Sequence, residues 1–484
     1  AIVALEGERI RGGDGASLAD LAGKPASREH LLESLDGDPD VPGDISAEVA
    51  LTIVRGFDPL HGGLGTEPKF PQPDVFGFLL AYGLLRGGDT DAPEGAGALL
   101  RRSRLLEVVR RTLQAMMSGG MYDPVAGGFF RYATRRDWSV PHYEKMLEDN
   151  ARLAWLYLEA SLHARNRDLG DPEAYRQAGE GAIDYLIATL WRDDAAAFAG
   201  SQDADEEYYL LDADGRADLP EPFIDQTVYV DWNALAARAL LRAAPILDRP
   251  DLTGHAVRLL DRLTTVALRG DTLAHFLLPD GGAGDGPPLL GDQVGIAAAC
   301  LDAYEVTGDR RWLRQARGLA GWAHENLRAP DGRLNDRLAL SGQSPGLLAQ
   351  PVPALDENAL AVEVLLRLEA YTGEAHLREQ ALEILGAWAT HYEQYGVAAA
   401  PPAQAPLRYL ERPDHVVVVG GRDEETQRLH GAALVTPRAL RTVQRLDPSN
   451  TEDAERLRET GLDDTHAAAV AYVCRGTTCS LFEP

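Results

Sequence analysis

The chain has 484 residues and a formal net charge of −28, with 75 acidic side chains against 47 basic ones. This balance argues against a nucleic-acid backbone or an anionic membrane as partner, because proteins that bind either concentrate Lys and Arg on one face. An apolar fraction of 45% with 25% charged residues is ordinary for a globular protein with a large core.

Helical periodicity dominates the chain from residue 44 to about residue 394. Near residue 105, for example, Leu105, Val108 and Val109 follow the i, i+3, i+4 rule, while Arg110 and Arg111 point away from them. A twelfth helix is expected in the C-terminal region. The eleven other predicted helices span 44–56, 73–86, 97–118, 144–165, 172–191, 231–246, 252–268, 291–306, 309–326, 355–372 and 375–394.

The connections between these helices alternate between short and long. Tight turns are predicted at 307–309 and 372–374, and each predicted helix has one apolar face to bury. A stack of antiparallel hairpins that closes on itself gives every hairpin a partner for that face. Long loops in a compact domain are usually functional, so they are expected to build a cleft at one rim. These long loops are 119–143, 192–230, 269–290 and 327–354.

The chain is therefore predicted to be all-α, with three parts. Residues 1–43 are expected to form an N-terminal arm, and 44–411 an (α/α)6 toroid of six helical hairpins. Residues 412–484 are expected to form a small α/β closing element packed on the toroid. Within the last two parts, 416–419 and 432–435 are predicted strands, and 398–406 is predicted to be a surface loop.

The three cysteines are an odd number in a long chain, which does not describe a disulfide scaffold and favours a reducing compartment. Cys300 lies in an apolar run and is predicted to be a buried small hydrophobe. Cys474 and Cys479 are separated by Arg-Gly-Thr-Thr, which favours a structural turn over a metal site. No run of about 18 apolar residues and no signal peptide is seen, so a cytoplasmic protein is expected.

Residues 140–150 combine an imidazole, an ammonium and several acids directly before an apolar helix. If that helix begins near Tyr143, then His142, Lys145, Met146 and Asp149 fall on one stripe of a 3.6-residue period. Such a stripe fits a polar cluster that lines a cleft. It fits equally a helix N-terminus with ordinary capping and ion pairs, and the sequence leaves both interpretations open.

Three consecutive motifs carry a family resemblance. They are Gly-Gly-Met-Tyr-Asp-Pro at 119–124, Gly-Gly-Phe-Phe-Arg-Tyr at 127–132 and Asp-Trp-Ser-Val-Pro-His at 137–142. In this order they resemble the spermatogenesis-associated thioredoxin-like family, and the resemblance extends from about residue 56 to residue 484. Further matching motifs lie at 62–65, 68–71, 201–205, 232–235 and 472–476, with Cys479 after the last.

That family usually carries a thioredoxin-like domain followed by a toroid similar to the six-hairpin glycosidases and the N-acylglucosamine 2-epimerases. The resemblance therefore implies a toroid with a small, sugar-like ligand. Residues 1–45 contain no Cys and no strand–helix alternation long enough for a thioredoxin unit, so the redox role of relatives is not expected here. A separate thioredoxin-fold partner is a further expectation, and no cofactor or metal ion is expected, including at 201–205.

Two reaction types fit the polar motifs. Hydrolysis of a glycosidic bond needs one protonated and one ionised carboxyl. Epimerisation beside a carbonyl needs an acid–base pair, often two imidazoles, for which His142 and the weaker candidate His61 are available. A non-catalytic sugar- or protein-binding module is the alternative.

His142, Lys145, Asp149 and Asp203 are expected to line one cavity, with Lys69 at its rim. The predicted catalytic residues are His142, Glu144, Asp149, Asp203 and Asp205. The predicted ligand-binding residues are Lys69, Tyr132, Trp138, Lys145, Asn150, Trp232, Asn233, Asp292 and Asp356.

Overall fold

The computed structural model describes residues 45–87, 96–278, 281–338, 350–388, 392–462, 469–476 and 478–482, so the predicted arm at 1–43 lies outside the described residues. Twelve long helices make up the described part of the toroid, and they match the eleven predicted spans closely. They are α1 (Ile45–Gly56), α2 (Pro73–Leu85), α3 (Arg102–Ser118), α4 (Leu147–Ala164), α5 (Pro172–Tyr185), α6 (Val230–Leu247), α7 (Pro250–Arg262), α8 (Leu290–Thr307), α9 (Arg310–Leu327), α10 (Leu355–Thr372), α11 (Ala375–Trp388) and α12 (Ala400–Glu411).

The even-numbered helices form an inner ring. Each of them packs against the next, from α2 to α12, and α12 packs against α2 to close the circle. The odd-numbered helices lie outside, and α1 pairs with α12, where Ser46 Oγ donates to the Ala403 carbonyl at 2.9 Å. The predicted all-α toroid of six hairpins is confirmed, and its sixth hairpin joins the first and last helices.

Inner and outer helices differ in how they are buried. In α8 the run from Asp292 to Tyr304 is buried throughout, because this helix is covered by neighbours on all sides. In the outer helix α9 the buried residues recur at helical spacing, as at Trp312, Ala316 and Leu319, and the opposite face carries arginines. An apolar stripe of that width buries one face only, which sets each outer helix against its inner partner.

The twelfth helix corrects one prediction. The segment 398–406 was predicted as a surface loop because it is rich in Pro, but α12 begins at Ala400. Pro401 and Pro402 occupy the first turn, where a missing backbone N–H costs nothing. Burial of Ala403 and Leu407 against the ring then offsets the one hydrogen bond lost at Pro406.

The short turns follow from helix capping. Gly308 ends α8 in the left-handed conformation (φ 67°), and the Asp309 side chain accepts from the Arg311 amide to begin α9. Gly373 (φ 77°) ends α10 in the same way. These turns lie at the C-terminal ends of the inner helices. The described parts of the long loops lie at the opposite rim, as predicted, and the N-terminal ends of the inner helices form that rim.

The long loops form small sheets at that end of the toroid. The loops 119–143 and 192–230 are adjacent, as predicted, because Arg216 in the second forms an ion pair with Asp123 in the first, at 2.8 Å. The adjoining strands β3 and β6 also pair there. The strands of this end are β1 (Tyr132–Ala133), β2 (Pro141–His142), β3 (Lys145–Met146), β4 (Trp191–Arg192), β5 (Ala197–Phe198), β6 (Ser201–Gln202), β7 (Ile224–Asp225), β8 (Val228–Tyr229), β9 (Leu268–Arg269), β10 (Thr272–Leu273) and β11 (Phe276–Leu277).

A four-stranded sheet with two helices follows the toroid. Its order is β13-β12-β14-β15, with β12 parallel to β13 and the other pairs antiparallel. Gln444 Nε2 donates to the Tyr304 hydroxyl at 3.0 Å, which fixes the sheet against the C-terminal end of α8. The elements are β12 (His415–Val419), α13 (Glu424–Val435), β13 (Thr442–Leu446), α14 (Thr451–Thr460), β14 (Val470–Arg475) and β15 (Thr478–Leu481).

The predicted α/β closing element is thus present, with two corrections. The strand at 416–419 is confirmed, but 432–435 forms the end of α13, because Asp423 caps the Thr426 amide and starts a helix before it. The predicted turn between Cys474 and Cys479 is present, but the two residues also form a disulfide bond between β14 and β15 that the odd number of cysteines did not predict, so the cysteines no longer favour a reducing compartment. Cys300 is fully buried, as predicted. Within the described ranges, no helix has both the length and the apolar character that crossing a membrane requires.

Candidate active site

A buried amide recurs near the start of four inner helices. In α4 the Asn150 Oδ1 accepts from the Phe129 amide at 2.6 Å, and its Nδ2 donates to the Phe129 carbonyl at 3.0 Å. Asn233 binds Phe198 in the same two-way manner. Gln293 in α8 binds Leu273, and Asn358 in α10 binds Leu334. Each amide therefore fixes a long loop to the N-terminal end of the inner helix that follows.

Acidic residues directly precede these amides. The sequences are Glu148-Asp149-Asn150 in α4, Asp231-Trp232-Asn233 in α6, Asp292-Gln293 in α8 and Asp356-Glu357-Asn358 in α10. Since the clamped amides occupy equivalent positions around the ring, the acids before them meet at one end of it. The carboxyls of four helices are thus brought together by repetition of one local structure.

A central cavity of about 510 Å³ runs inside the ring. Its mouth, at the N-terminal ends of the inner helices, is lined by carboxyl groups, one guanidinium and one indole. The Trp232 ring lies 4.6 Å from that of Tyr229. The lining residues of the mouth are Asp74, Glu148, Arg152, Asp231, Trp232, Asp356 and Glu357.

Glu357 has the most perturbed carboxyl at the mouth. Burial, together with the negative charges of Asp336, Asp292 and Asp231, raises its pKa to about 8. The Oε2 atom of Glu357 is buried without a hydrogen-bond partner in the described structure. Burial also raises the pKa of the neighbouring Asp356, to about 6. This side chain touches water, but the protein around the mouth reduces its hydration. At neutral pH Glu357 is therefore mainly protonated and Asp356 mainly ionised.

A histidine from the loop before α8 joins the mouth. His275 Nδ1 lies 3.1 Å from Asp292 Oδ1, and this hydrogen bond raises the pKa of the imidazole. Burial raises the pKa of Asp292 to about 6, with the imidazole opposing the rise. Possible ligand atoms of Asp231, His275 and Asp292 all lie within 4.8 Å of one another, so these three residues could hold a divalent cation.

A second group of acidic residues lies beside the mouth, at the start of α4. Burial and the charge of Glu148 raise the pKa of Asp149 to about 7. Arg152 forms ion pairs with Glu148 at 3.2 Å and with Asp74 at 3.4 Å, which limits the excess of negative charge. Asp149 is therefore a desolvated carboxyl beside the mouth, but Glu148 and not Asp149 lines the cavity.

The predicted stripe through residues 142–149 is wrong. Tyr143 does not begin a helix, because β2 and β3 occupy 141–146 and α4 begins at Leu147. Extended backbone sends successive side chains to opposite sides, so Lys145 turns into the protein while His142 stays on the surface. His142 stacks on Tyr132 at 5.0 Å and, like Glu144, which pairs with Arg131, lies outside the cavity lining.

Lys145 is fully buried, and its contacts are structural. Its Nζ donates to Asp123 Oδ2 at 2.7 Å and to the Gly127 carbonyl at 2.7 Å. Burial lowers the pKa of this ammonium to about 8, against the favourable charge of Asp123. Arg216 binds the same carboxylate through both of its terminal nitrogens. The donors of Lys145 are therefore used inside the protein, which contradicts the predicted ligand contact.

The same arrangement occurs a second time. Lys69 is fully buried and donates to Asp58 Oδ2 at 2.8 Å, and Arg136 binds both oxygens of Asp58. The predicted rim position of Lys69 is therefore wrong. Trp138 is also fully buried, with its Nε1 donating to the His61 carbonyl at 2.9 Å, so it offers no ring to a ligand. In both arrangements one aspartate binds one lysine and one arginine. The aspartate is in each case the first residue of an Asp-Pro-x-x-Gly-Gly sequence, at 58–63 and at 123–128.

Asp203 and Asp205 lie away from the cavity. Asp203 is exposed and accepts from the Ala204 amide, and Asp205 caps the short helix Glu206–Tyr209. Neither lines the cavity. His142, Lys145, Asp149 and Asp203 therefore do not line one cavity as predicted.

Asn150 and Asn233 are fully buried with their amide groups engaged by backbone, so the predicted ligand contacts are corrected to structural ones. Trp232 and Asp356 line the mouth, and Asp292 lies behind it. The mouth residues that the sequence did not predict are Asp74, Glu148, Arg152, Asp231 and Glu357. His275, also not predicted, lies beside Asp231 without lining the cavity. The repeated acid-before-amide pattern could have revealed Glu148, Asp231 and Glu357.

The ring of hairpins and the acid-lined cavity define a toroid of the six-hairpin glycosidase-like class. Cellobiose 2-epimerase from Bacillus thermoamylovorans B4167 has a TM-score of 0.57 and 11% identity, over 75% of this chain and 95% of that one. A D-mannose isomerase has a TM-score of 0.55 and 13% identity, over 78% and 99%. An unsaturated glucuronyl hydrolase specific for heparin has a TM-score of 0.53 and 14% identity, over 80% and 98%. Identities this low show the fold alone.

Sequence comparison points to a narrower group. The chain is 22% identical to human spermatogenesis-associated protein 20 over an alignment 551 positions long, gaps included, which covers 88% of this chain and 66% of the relative. It is 34% identical to the mouse protein of the same name over 151 residues, or 31% of this chain and 17% of that one. No family model matches the chain. These relatives confirm the resemblance to the spermatogenesis-associated family, and the chain spans just under two thirds of the human relative's length.

Proposed function

We propose that this protein is a carbohydrate-active enzyme that uses the carboxyls at the cavity mouth for general acid–base chemistry. The observation that carries the proposal is Glu357, whose pKa is about 8 and whose side chain lines the cavity. The negative charge of Asp231, from a different inner helix, is one cause of that raised pKa. In this proposal Glu357 holds the proton, and Asp231, whose pKa burial also raises, is the base that the charges of His275 and Arg152 help to keep ionised.

Hydrolysis of a glycosidic bond is the reaction this pair suits best. Glu357 would protonate the leaving oxygen, and Asp231 would act as base or nucleophile on the other side of the bond. Trp232, beside Tyr229 at the mouth, offers an aromatic face on which the apolar side of a sugar ring can stack. In this proposal the charges of Asp149, Asp292 and Asp356 help to set which carboxyls at the mouth are protonated.

Epimerisation or isomerisation of a sugar is a second candidate, favoured by His275. The buried Asp292 orients this imidazole and raises its pKa, as suits a base that removes a proton beside a carbonyl. Sugar epimerases and an isomerase are among the structures with this fold, whose similarity extends to fold only. Glu357 would then be the proton donor on the opposite face.

The test is a screen of the purified protein against oligosaccharides and free aldoses and ketoses, followed by chromatography for new reducing ends and for epimers. The wild type should convert at least one sugar, and Glu357→Gln should lower the rate about 10²–10⁴-fold, since Gln keeps the shape but carries no transferable proton. Glu379→Gln, an exposed position on α11, should match the wild type. Binding of sugars without product in every case would favour the non-catalytic binding module instead.

Other parts of the proposal follow from the relatives and from the sequence. The ligand is a small, sugar-like molecule, and a thioredoxin-fold protein is a candidate partner. The cytoplasmic location and the division at residues 43 and 411 stay predictions.

A further inference from the structure

The central cavity is polarised along its length. Carboxyls line its mouth, whereas its other end, called the floor here, is lined by guanidinium groups from the C-terminal halves of the inner helices and from the segment before β13. Leu434, Leu440 and Arg441 of the C-terminal element line this floor. With about 1.5 Å of rise per residue, Gly291 at the mouth and Glu305 at the floor are about 20 Å apart along α8.

Some of these guanidiniums are neutralised by carboxylates. Asp302 accepts ion pairs from Arg238 at 2.9 Å, from Arg242 at 3.2 Å and from Arg367 at 2.7 Å. Glu363 binds Arg238 at 2.6 Å. Glu305 adds a third carboxylate to the group through Arg367. Three cations and three anions therefore balance within this network.

Two further guanidiniums at the floor have no such partner. Arg408 is 8% exposed, and its Nη1 donates to the Leu440 carbonyl at 3.0 Å. It forms no ion pair with any carboxylate of the described residues. Arg441 donates to the Leu434 carbonyl and is likewise without an ion pair there, and its Nε is buried with no hydrogen-bond partner. Glu159 is the remaining carboxylate at the floor; its Oε1 contacts His163, its Oε2 has no hydrogen-bond partner in the described structure, and its charge acts on Arg441 without forming an ion pair.

A buried guanidinium without a counter-ion costs free energy in the empty protein. The pKa of Arg408 is lowered, first by burial and further by the nearby charges of Arg367 and Arg242, although Glu363 opposes this. Glu363 and Glu305 act on Arg408, and Glu159 acts on Arg441, only through longer-range charge interactions, because none of these carboxylates forms an ion pair with either guanidinium in the described residues. The unpaired donors instead line a cavity that is large enough for a small molecule.

We propose that the floor of the cavity, at Arg408 and Arg441, is a binding subsite for the carboxylate or phosphate group of a small-molecule anion. Guanidiniums bind both groups through paired N–H donors, which explains why arginines are present. The pKa values of the mouth carboxyls Glu148, Asp356 and Glu357 are raised, mainly by burial, which reduces the negative charge that an entering anion meets. The subsite does not depend on the proposed chemistry at the mouth, since binding is measurable without turnover.

The experiment is isothermal titration of the full chain with three probes at constant ionic strength: sodium phosphate, sodium D-glucuronate and neutral D-glucose. The first two distinguish a phosphate group from a sugar carboxylate, and glucose reports binding that needs no anion. Arg408→Gln and Arg441→Gln are compared with Arg428→Gln, which removes the same charge from the exposed face of α13. Thermal unfolding with and without each probe gives a second readout, because a ligand that binds the folded state raises the Tm.

We expect phosphate or glucuronate to bind the wild type and Arg428→Gln with equal affinity. Arg408→Gln and Arg441→Gln should weaken that binding at least about tenfold and abolish the rise in Tm. If Arg408→Gln does not fold, the half-buried Arg441→Gln decides. Equal anion affinity in the wild type and the floor variants would overturn the proposal. So would failure of both anions to bind the wild type at concentrations up to about 10 mM.

Discussion

The Nδ1 atom of His275 lies 3.1 Å from Oδ1 of Asp292, a carboxyl that is completely buried while the imidazole reaches the solvent. Because the hydrogen bond favours the protonated ring, Asp292→Asn should lower the pKa of His275. Titration of the imidazole by NMR measures this without any substrate. His376, which is exposed on α11, provides the control resonance and should not move. An unchanged His275 titration would show that Asp292 does not set the charge of the imidazole.

The raised carboxyl pKa values predict how stability depends on pH. The pKa of Asp149 rises from 3.8 to about 7 on folding, and that of Glu357 from 4.5 to about 8, so the folded state binds more protons between these limits. Their contribution to stability is complete below pH 4 and is lost as the pH rises through 7 and 8. Glu357→Gln should therefore be more stable than the wild type at pH 8 by about 1–3 kcal/mol, with little difference at pH 4. Urea unfolding at both pH values measures this, and an equal difference at pH 4 and pH 8 would contradict it.

The amide clamps should be strong determinants of stability. Asn150→Ala removes three hydrogen bonds and leaves the buried backbone groups of Phe129 without partners. The expected cost is about 2–4 kcal/mol, since unsatisfied buried groups lose their full hydration energy. Asn326→Ala on the exposed face of α9 should change stability by less than about 0.5 kcal/mol. Chemical denaturation of both variants measures the difference. Equal losses of stability would show that the amide clamp contributes no more to stability than the exposed side chain does.

The two buried ammonium groups should likewise be structural. Lys145→Met leaves Asp123 short of one charge partner inside the protein, and a loss of about 3–5 kcal/mol is expected. Lys69→Met should behave similarly through Asp58. Below its unfolding transition, each folded variant should bind sugars with the affinity of the wild type. Weaker sugar binding at unchanged stability would restore the ligand-binding role that the sequence predicted for these lysines.

Asp149 and Asp203 are both predicted from the sequence to be catalytic, but their substitutions should have different effects on turnover. Asp149→Asn alters a desolvated group beside the mouth and should lower turnover, by about tenfold or more, because it changes the charge balance around Glu148. Asp203→Asn alters an exposed side chain outside the cavity and should leave kcat/KM within about twofold of the wild type. Steady-state kinetics on the sugar identified by the screen measures both. A large loss of kcat/KM in Asp203→Asn with none in Asp149→Asn would show that the active site lies at the outer loops and not at the mouth of the cavity.

The sequence by itself determined the helices and their closure into a ring. Apolar residues at helical spacing, as at Leu105 and Val108, fix which face each helix buries, and Gly308 with Asp309 ends one helix and caps the next. Both are local effects of a few neighbouring residues, so they can be read from one segment at a time. The polar motifs were harder, because burial of a charge depends on what surrounds it. Lys69 and Lys145 have ordinary sequence surroundings, but Asp58 and Asp123 reach them from 11 and 22 residues away and turn them inward.

Only the tertiary structure decided which carboxyls share the mouth. Asp231, Asp292 and Glu357 lie on three different helices, and burial raises the pKa of each once the ring closes, while the charge of Asp231 raises the pKa of Asp292 and of Glu357 further. His275 joins them through the clamp that Gln293 makes to Leu273, a contact with no local signal. The unpaired state of Arg408 depends on the packing of α12 against the C-terminal element. Distances between groups far apart in the chain set these properties, and such distances exist only in the folded state.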